Sequence, residues 1–229
     1  MTTQALFTWP QQAVVARSVA KAKIYAHAKP TTALRALFVE QVESITWAYK
    51  LAPESINLPA KPDVPEIEVF EIALKLPDVN HAVLRCIDKA IPFPILFVLR
   101  FEGHSQPVAA YKRPSDAAHH QRGQVSQWVV GDYHAAPWQS DVIARPGLPV
   151  ALDLQGLYEQ LLRQHLAVPA RPGESLRDQL DRLSRIAANQ TAAAKLESRL
   201  VQEKQFNRRI EINAQLRTIR IETENLMRT

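Results

Sequence analysis

The chain has 229 residues, of which 46% are hydrophobic and 22% charged, a composition that favours a folded globular protein over a disordered one. A single cysteine excludes an internal disulfide framework, and the longest apolar run, residues 91–101, is interrupted by two prolines and an arginine and predicts no membrane span. Because the N-terminus also lacks the apolar core of a secretion signal, we expect a cytoplasmic protein.

The net charge of +5 is concentrated at the two ends of the chain. Residues 1–39 contain five basic residues and no acid, residues 40–173 are net −3, and residues 174–229 are net +3. Lys and Arg near a polyanion release its counterions, so a basic, acid-free start can attract phosphates. Arg17, Lys21 and Lys23 are therefore candidate contacts for nucleic acid or an acidic partner. A solvated helix face is the alternative interpretation.

The first 52 residues predict an N-terminal helical segment. Residues 11–28 and 32–50 are both expected to be helical, and the second carries apolar side chains at three- and four-residue spacing after a cap at Thr31 or Thr32. Four prolines between residues 53 and 65 then predict an extended connector, because proline restricts both its own backbone and that of the preceding residue.

Residues 66–168 predict an α+β core domain. Residues 66–74 predict a strand that places Phe70, Ile72 and Leu74 on one face and the residues between them on the other. Asp78 can cap a following helix that runs to about residue 90 and buries Cys86 as a small core residue.

The sequence predicts three further strands and a helix in the rest of this domain. The nearly continuous apolar run 95–102 is typical of a strand buried on both faces, and it turns at 103–107 into a second strand over 108–112. A strand over 125–133 and an amphipathic helix over 152–166 complete a small mixed sheet with packed helices.

Residues 174–229 contain no proline or glycine and predict a long helix or a helical hairpin, similar to a coiled coil. Its apolar residues form two stripes on roughly opposite sides, one including Phe206 and Ile210, the other Leu216 and Ile219. One stripe can cover an upstream segment folded back through residues 188–191, and the other can bind a protein partner or a second copy. These four residues are the predicted partner-binding residues, unless both stripes pack on the protein's own body.

The sequence contains no catalytic, metal or cofactor motif. The order of helix and strands is similar to the core of restriction-type nucleases, for which Glu102, Lys112 and Asp132 would be the candidates. The match is poor because Ala110, two residues before Lys112, carries no ligand, and the predicted register sets Lys112 opposite Val98, about 13 Å from Glu102.

Loop histidines lack the spacing of a zinc site; they are His104, His119, His120 and His134. Lys112 and Arg113, beside an aromatic residue at a strand end, are candidate contacts for a phosphate or an acidic partner.

Seven segments resemble a bacterial family called domain of unknown function 4391, and the resemblance spans nearly the whole chain. The family offers no catalytic residues to transfer, but the resemblance implies a gene neighbourhood of helicases and DNA methyltransferases in restriction-like defence modules. The segments are 23–25 (KIY), 38–43 (FVEQVE), 51–59 (LAPESINLP), 87–92 (IDKAIP), 110–114 (AYKRP), 156–159 (GLYE) and 203–208 (EKQFNR).

We therefore expect a non-catalytic accessory or adaptor subunit of a bacterial DNA-defence assembly that docks a partner through its C-terminal helices. The partner would be a helicase or methyltransferase subunit, or a second copy of the chain. The alternative is a nucleic-acid-binding or nuclease-like subunit that uses the basic N-terminus and the edge at Lys112 and Arg113. A steep loss of DNA binding with salt would favour the alternative.

Overall fold

A computed structural model describes residues 6–115 and 128–228 and has the α+β architecture that the sequence predicts. Within these residues, seven strands form one mixed sheet. They are β1 (Val14–Ser18), β2 (Val42–Leu51), β3 (Ile67–Leu74), β4 (Ile95–Phe101), β5 (His104–Pro114), β6 (Trp128–Ala135) and β7 (Gln139–Ser140). The helices are α1 (Lys21–Ala28), α2 (Thr32–Gln41), α3 (Pro53–Ile56), α4 (His81–Ala90), α5 (Leu154–Arg163), α6 (Leu176–Gln202) and α7 (Phe206–Met227).

The strands lie in the order β1-β2-β3-β4-β5-β6, with β7 paired to β5. Strands β3 and β4 are parallel because α4 carries the chain back between them, and the other neighbours are antiparallel. The chain divides into two compact units, residues 1–166 with the sheet and residues 167–229 with α6 and α7. No helix in the described part of the chain is long and apolar enough to cross a membrane.

One hydrophobic core of the first unit joins α1, α2 and α4 to alternate residues of the central strands, among them Phe70, Ile72 and Phe97. The intervening residues Val69 and Val98 are buried as well. Because successive strand residues point to opposite faces, both faces of the central strands are covered. This explains why the strands predicted over 66–74 and 95–102 were readable from the sequence.

The predicted helix over 32–50 is wrong in its second half. Thr31 caps α2 by accepting a hydrogen bond from the Leu34 amide, but the helix ends at Gln41 and β2 begins at the next residue. Two bulges in β2 leave every third residue of the strand buried, which imitates helical spacing. The buried residues are Val42, Ile45, Ala48 and Leu51.

Two other helix starts differ from the prediction. Residues 11–18 form a short 3₁₀ helix and β1, so only 21–28 of the predicted first helix is α-helical. Residues 1–52 therefore contribute two strands to the common sheet. Helix α4 is capped by Asn80, whose side chain accepts from the Ala82 amide, and not by Asp78.

Helix α6 continues through residues 188–191, where the sequence had suggested a turn. Alanine-rich sequence favours helix there, and the Thr191 hydroxyl donates to the Ala187 carbonyl oxygen inside the helix. The helical hairpin turns instead at residues 203–205, where the Glu203 carboxylate accepts from the Gln205 amide. The prediction of long C-terminal helices is confirmed; of the two forms left open, one helix or a hairpin, the chain adopts the hairpin, with its turn about a dozen residues later than the suggested one.

Candidate functional site

Arg182 closes the open end of the helical hairpin. Its Nε and Nη2 donate to the two carboxylate oxygens of Glu174, each at 2.7 Å, and its Nη1 donates to the Leu226 carbonyl oxygen at 2.9 Å. This bidentate hydrogen bond lowers the pKa of Glu174 to about 2. Because Leu226 lies in the last turn of α7, Arg182 also satisfies a carbonyl that the helix leaves without a partner.

Arg171 supports the same helix end. Its guanidinium donates to the carbonyl oxygens of Asn225 at 2.7 Å and Arg228 at 3.0 Å. Positive charge at a helix C-terminus also opposes the negative end of the helix dipole. Two arginines therefore fix α7 against the beginning of α6, which makes the hairpin a defined surface.

The two predicted apolar stripes of α7 have different environments. Leu216 is buried within the second unit, as is Ile212, and Ile219 is half-buried. Phe206 and Ile210 of the other stripe are 75% and 53% exposed. Of the four predicted partner-binding residues, only Phe206 and Ile210 are therefore open to a partner.

The turn end of the hairpin combines exposed apolar residues with positive charge. Val201, Phe206 and Ile210 lie close to the turn, and Val201 is 87% exposed. Residues 195–220 contain seven basic and three acidic residues, so this end carries a net charge of +4. We call the residues from 195 to 220 the hairpin tip.

The three basic residues predicted near the N-terminus do not share one environment. Arg17 and Lys23 are exposed, and the Arg17 guanidinium lies 6.0 Å from the centre of the Trp47 ring. Lys21 is half-buried, and its ammonium donates to the carbonyl oxygens of Phe38 at 2.9 Å and Val42 at 2.6 Å. Lys21 therefore caps the C-terminus of α2.

Lys112 lies inside the first unit, with 1% of its surface exposed. Its ammonium donates to the Asp88 carbonyl oxygen at 2.6 Å and the Ile91 carbonyl oxygen at 2.5 Å, and it lies 3.3 Å from Asp88 Oδ1. The β4–β5 register pairs Val98 with Pro107, so the predicted pairing of Lys112 with Val98 is wrong. Arg113 is half-buried and donates to the Pro114 carbonyl oxygen at 3.0 Å.

Two tyrosines complete a polar cluster around Lys112. The Tyr133 hydroxyl donates to Asp88 Oδ2. The Tyr158 hydroxyl accepts from the Lys112 amide and donates to the Ala110 carbonyl oxygen, both at 2.9 Å. These backbone groups lie where the β5–β6 register shifts, so α5 supplies the hydrogen bonds that the bulge removes from the ladder.

Burial controls the proton affinities of this cluster. It raises the pKa of the Asp88 carboxyl and of both tyrosines, and it lowers the pKa of the Lys112 ammonium. The three oxygen acceptors around the Lys112 nitrogen match the three donors of a charged ammonium. The cluster therefore joins α4, α5, β5 and β6 through a buried ion pair.

The nuclease candidates do not come together as a metal site. The Lys112 ammonium bonds to Asp88 and two carbonyls, Glu102 lies in the turn between β4 and β5, and Asp132 is exposed on β6. Among the described residues, no group of three or more His, Cys, Asp or Glu side chains is placed to hold a metal ion. His119 and His120 lie outside the described residues.

Sequence reasoning did not identify the residues that organise these sites: Asp88, Tyr133, Tyr158, Arg171, Glu174 and Arg182. A signal for the buried cluster exists, because strand alternation from Val108 through Ala110 places Lys112 on the same face as two buried residues. A charged residue on a buried strand face needs a partner, and Asp88 follows Ile87 in a helix whose neighbouring residues are core. No comparable pattern marks Arg182, whose partners Glu174 and Leu226 lie eight and 44 residues away at no regular spacing.

No curated protein and no solved structure is detectably similar to the chain. The profile of one protein family matches residues 7–222, which include the polar cluster, the sheet and most of the hairpin. The chain therefore belongs to the family described as Domain of unknown function (DUF4391).

Proposed function

We propose that this protein is a non-catalytic adaptor that binds a protein partner at its hairpin tip. The observation that carries the proposal is the exposure of Val201, Phe206 and Ile210 on a hairpin whose other end is fixed by Arg171 and Arg182. Single exposed apolar residues are ordinary, but three large ones near one turn are typical of an interaction surface.

The charge of the hairpin tip defines the chemistry of the partner. With a net charge of +4, the tip attracts an acidic surface and repels a second copy of itself. Phe206 and Ile210 lie four residues apart on α7 and so can enter one groove together. The partner we propose is therefore a different protein that has an apolar groove edged by acidic residues.

The cellular role we propose follows from the family resemblance. The gene neighbourhood that it implies contains helicases and DNA methyltransferases, so the partner would be a subunit of a bacterial DNA-defence assembly. In that role the first unit would be the folded body, and the hairpin would be the docking element.

The test begins with affinity purification of the full-length tagged protein from its native host, followed by reconstitution with the partner identified. Replacing Phe206→Ser together with Ile210→Ser should weaken partner binding by tenfold or more while leaving the melting temperature unchanged. The matched control is Val39→Ser, because Val39 is 62% exposed on a helix of the first unit. Unchanged binding in the double variant would contradict the docking surface.

The basic hairpin tip offers a second candidate function, the binding of nucleic acid at a surface other than the predicted N-terminus and the edge at Lys112 and Arg113, where Lys112 is buried. A DNA duplex should then bind with a steep dependence on salt, and reversing the charges of Lys204, Arg208 and Arg209 should abolish that binding. Partner binding through apolar contacts should survive moderate salt. If the protein binds DNA in this way and captures no protein, the adaptor proposal is wrong.

A further inference from the structure

A pocket of about 720 Å³ lies in the first unit where the end of α4 meets β6. This volume is within the range of small-molecule sites, about 300–1,000 Å³. The pocket belongs to a different unit from the hairpin tip and has no part in the adaptor proposal. The lining side chains that matter here are His27, Arg85, Lys89, Pro92, Trp128 and Val130.

The charge that faces this pocket is positive. Arg85 and Lys89 lie four residues apart and therefore share one face of α4, and His27 adds a third nitrogen group. Asp88 is the only acid among the described residues of the lining, and its carboxylate is bound by Lys112 and Tyr133. Arg85 also lies close enough to this carboxylate to oppose the rise in pKa that burial causes. Arg85 and Lys89 nevertheless face a single acid that Lys112 already pairs, so a ligand in this pocket would meet a net positive charge.

Arg85 is held in place while it keeps its charge. Its Nη1 and Nη2 donate to the carbonyl oxygens of Val130 and Gly131, both at 2.9 Å, and its guanidinium lies 5.4 Å from the centre of the Tyr133 ring. These neutral acceptors fix the guanidinium at the pocket wall without a carboxylate. Lys89 is exposed and has the freedom to reach an anion.

The C-terminus of a helix normally repels an anion, because its last carbonyls carry partial negative charge. Here the buried Lys112 ammonium takes up the carbonyl oxygens of Asp88 and Ile91 at this end of α4. Lys112 therefore offsets the partial negative charge that these carbonyl oxygens would present to an anion in the pocket. This gives the buried lysine a role beyond packing.

The remaining walls are apolar and partly planar. Trp128 is half-buried at the pocket, with Pro92 and Val130 also in its lining. The centre of the Trp128 ring lies 5.9 Å from the Lys112 nitrogen. This cation–π contact positions the ring beside the polar cluster around Lys112. Cations beside an aromatic wall match a ligand with a phosphate at one end and a flat ring at the other.

We propose that this pocket binds a nucleotide, with the base against Trp128 and the phosphate near Lys89, Arg85 and His27. Calorimetric titration of the full chain with AMP, GMP, CMP and UMP tests the proposal. At least one nucleotide should bind tenfold or more tightly than its own nucleoside, ribose 5-phosphate or inorganic phosphate, because only the nucleotide fills both parts of the pocket. Failure of all four to bind at millimolar concentration would overturn it, as would equal affinity for the nucleotide and inorganic phosphate.

Two variants assign the two parts of the ligand. Lys89→Gln should weaken nucleotide binding at least fivefold and leave nucleoside binding unchanged, whereas Trp128→Leu should weaken both. Lys195→Gln, an exposed lysine of α6, is the matched control and should have no effect. If Trp128→Leu does not fold, the selective effect of Lys89→Gln still decides, and its absence would refute the site. The hairpin variant Phe206→Ser with Ile210→Ser should bind nucleotide normally, which separates this proposal from the adaptor proposal.

Discussion

The ammonium of Lys112 and the carboxylate of Asp88 form an ion pair of 3.3 Å inside the protein, with side chains 1% and 3% exposed. Lys112 comes from β5 and Asp88 from the last turn of α4, so the pair joins the sheet to the helix packed on it. Burying two charges is costly, and the net gain in stability from such a pair is small. The measurable quantity is the loss of stability when only one of the two partners is removed.

Replacing Lys112→Met should therefore lower the free energy of unfolding by about 3–5 kcal/mol, because Asp88 and two carbonyl oxygens lose their donor. The loss should be smaller at pH 5 than at pH 8, since burial raises the pKa of Asp88 and protonation relieves its unpaired charge. Urea unfolding at both pH values measures this. Lys89→Met is the surface control and should change stability by less than about 0.5 kcal/mol. Equal effects of the two substitutions would show that the buried pair has no special requirement.

Glu68 should make the folded protein less stable as the pH rises. It is 3% exposed on β3 and accepts a hydrogen bond from Trp47 Nε1, and burial together with the neighbouring Glu66 carboxylate raises its pKa to about 8. Its ordinary pKa is 4.5, so the unfolded chain releases this proton at lower pH than the folded protein does. The stabilisation is complete below pH 4.5 and is lost as the pH rises towards 8.

Glu68→Gln should remove this dependence, because glutamine keeps an oxygen acceptor for Trp47 and does not ionise. Relative to the wild type, the variant should gain about 2–4 kcal/mol between pH 5 and pH 8. Glu43→Gln, at an exposed position of β2, is the control. Parallel pH profiles for wild type and Glu68→Gln, measured by urea unfolding, would contradict the expectation.

Glu174 should make the folded protein less stable as the pH falls. Its hydrogen bonds from Arg182 lower its pKa to about 2 from the ordinary 4.5, so its stabilisation is present above pH 4.5 and is lost as the pH falls towards 2. Glu174→Gln should therefore destabilise the second unit by about 2–3 kcal/mol at pH 7 and have little effect near pH 2. Thermal loss of helical circular dichroism reports the change. Glu222→Gln, an exposed ion-pair partner of Arg185, should cost less than about 0.5 kcal/mol, and a similar cost for both would argue against the buried hydrogen bonds.

Leu216 and Phe206 should separate folding from binding. Leu216 is 4% exposed, so Leu216→Ala should cost about 2–5 kcal/mol of stability by removing buried contacts. Phe206 is 75% exposed, and Phe206→Ala should leave stability within about 0.5 kcal/mol of the wild type while weakening partner binding. Thermal unfolding and a binding titration on the same samples test both. Equal losses of stability with unchanged binding would place both residues in the core.

Strong local patterns in the sequence predicted part of this fold. The apolar strands β3 and β4, the amphipathic helix α5 and the absence of helix breakers after residue 173 each depend on neighbouring residues alone. The exposed stripe containing Phe206 and Ile210 was also visible as a periodic pattern. Local sequence is sufficient where burial follows a regular pattern, either one face of a helix or both faces of an apolar strand.

Tertiary structure alone decided the rest. Strand β2 carries helix-like spacing because two bulges shift its pairing with β3, and a bulge is a property of two paired strands. From the sequence alone, Lys112 is indistinguishable from a surface cation. Only the register of β5 and the position of α4 place Asp88 beside it. Arg182 likewise gains its role from Glu174 and Leu226, which meet only when the hairpin closes. The charge state and accessibility of such groups depend on partners far away in the chain, and those contacts exist only in the folded protein.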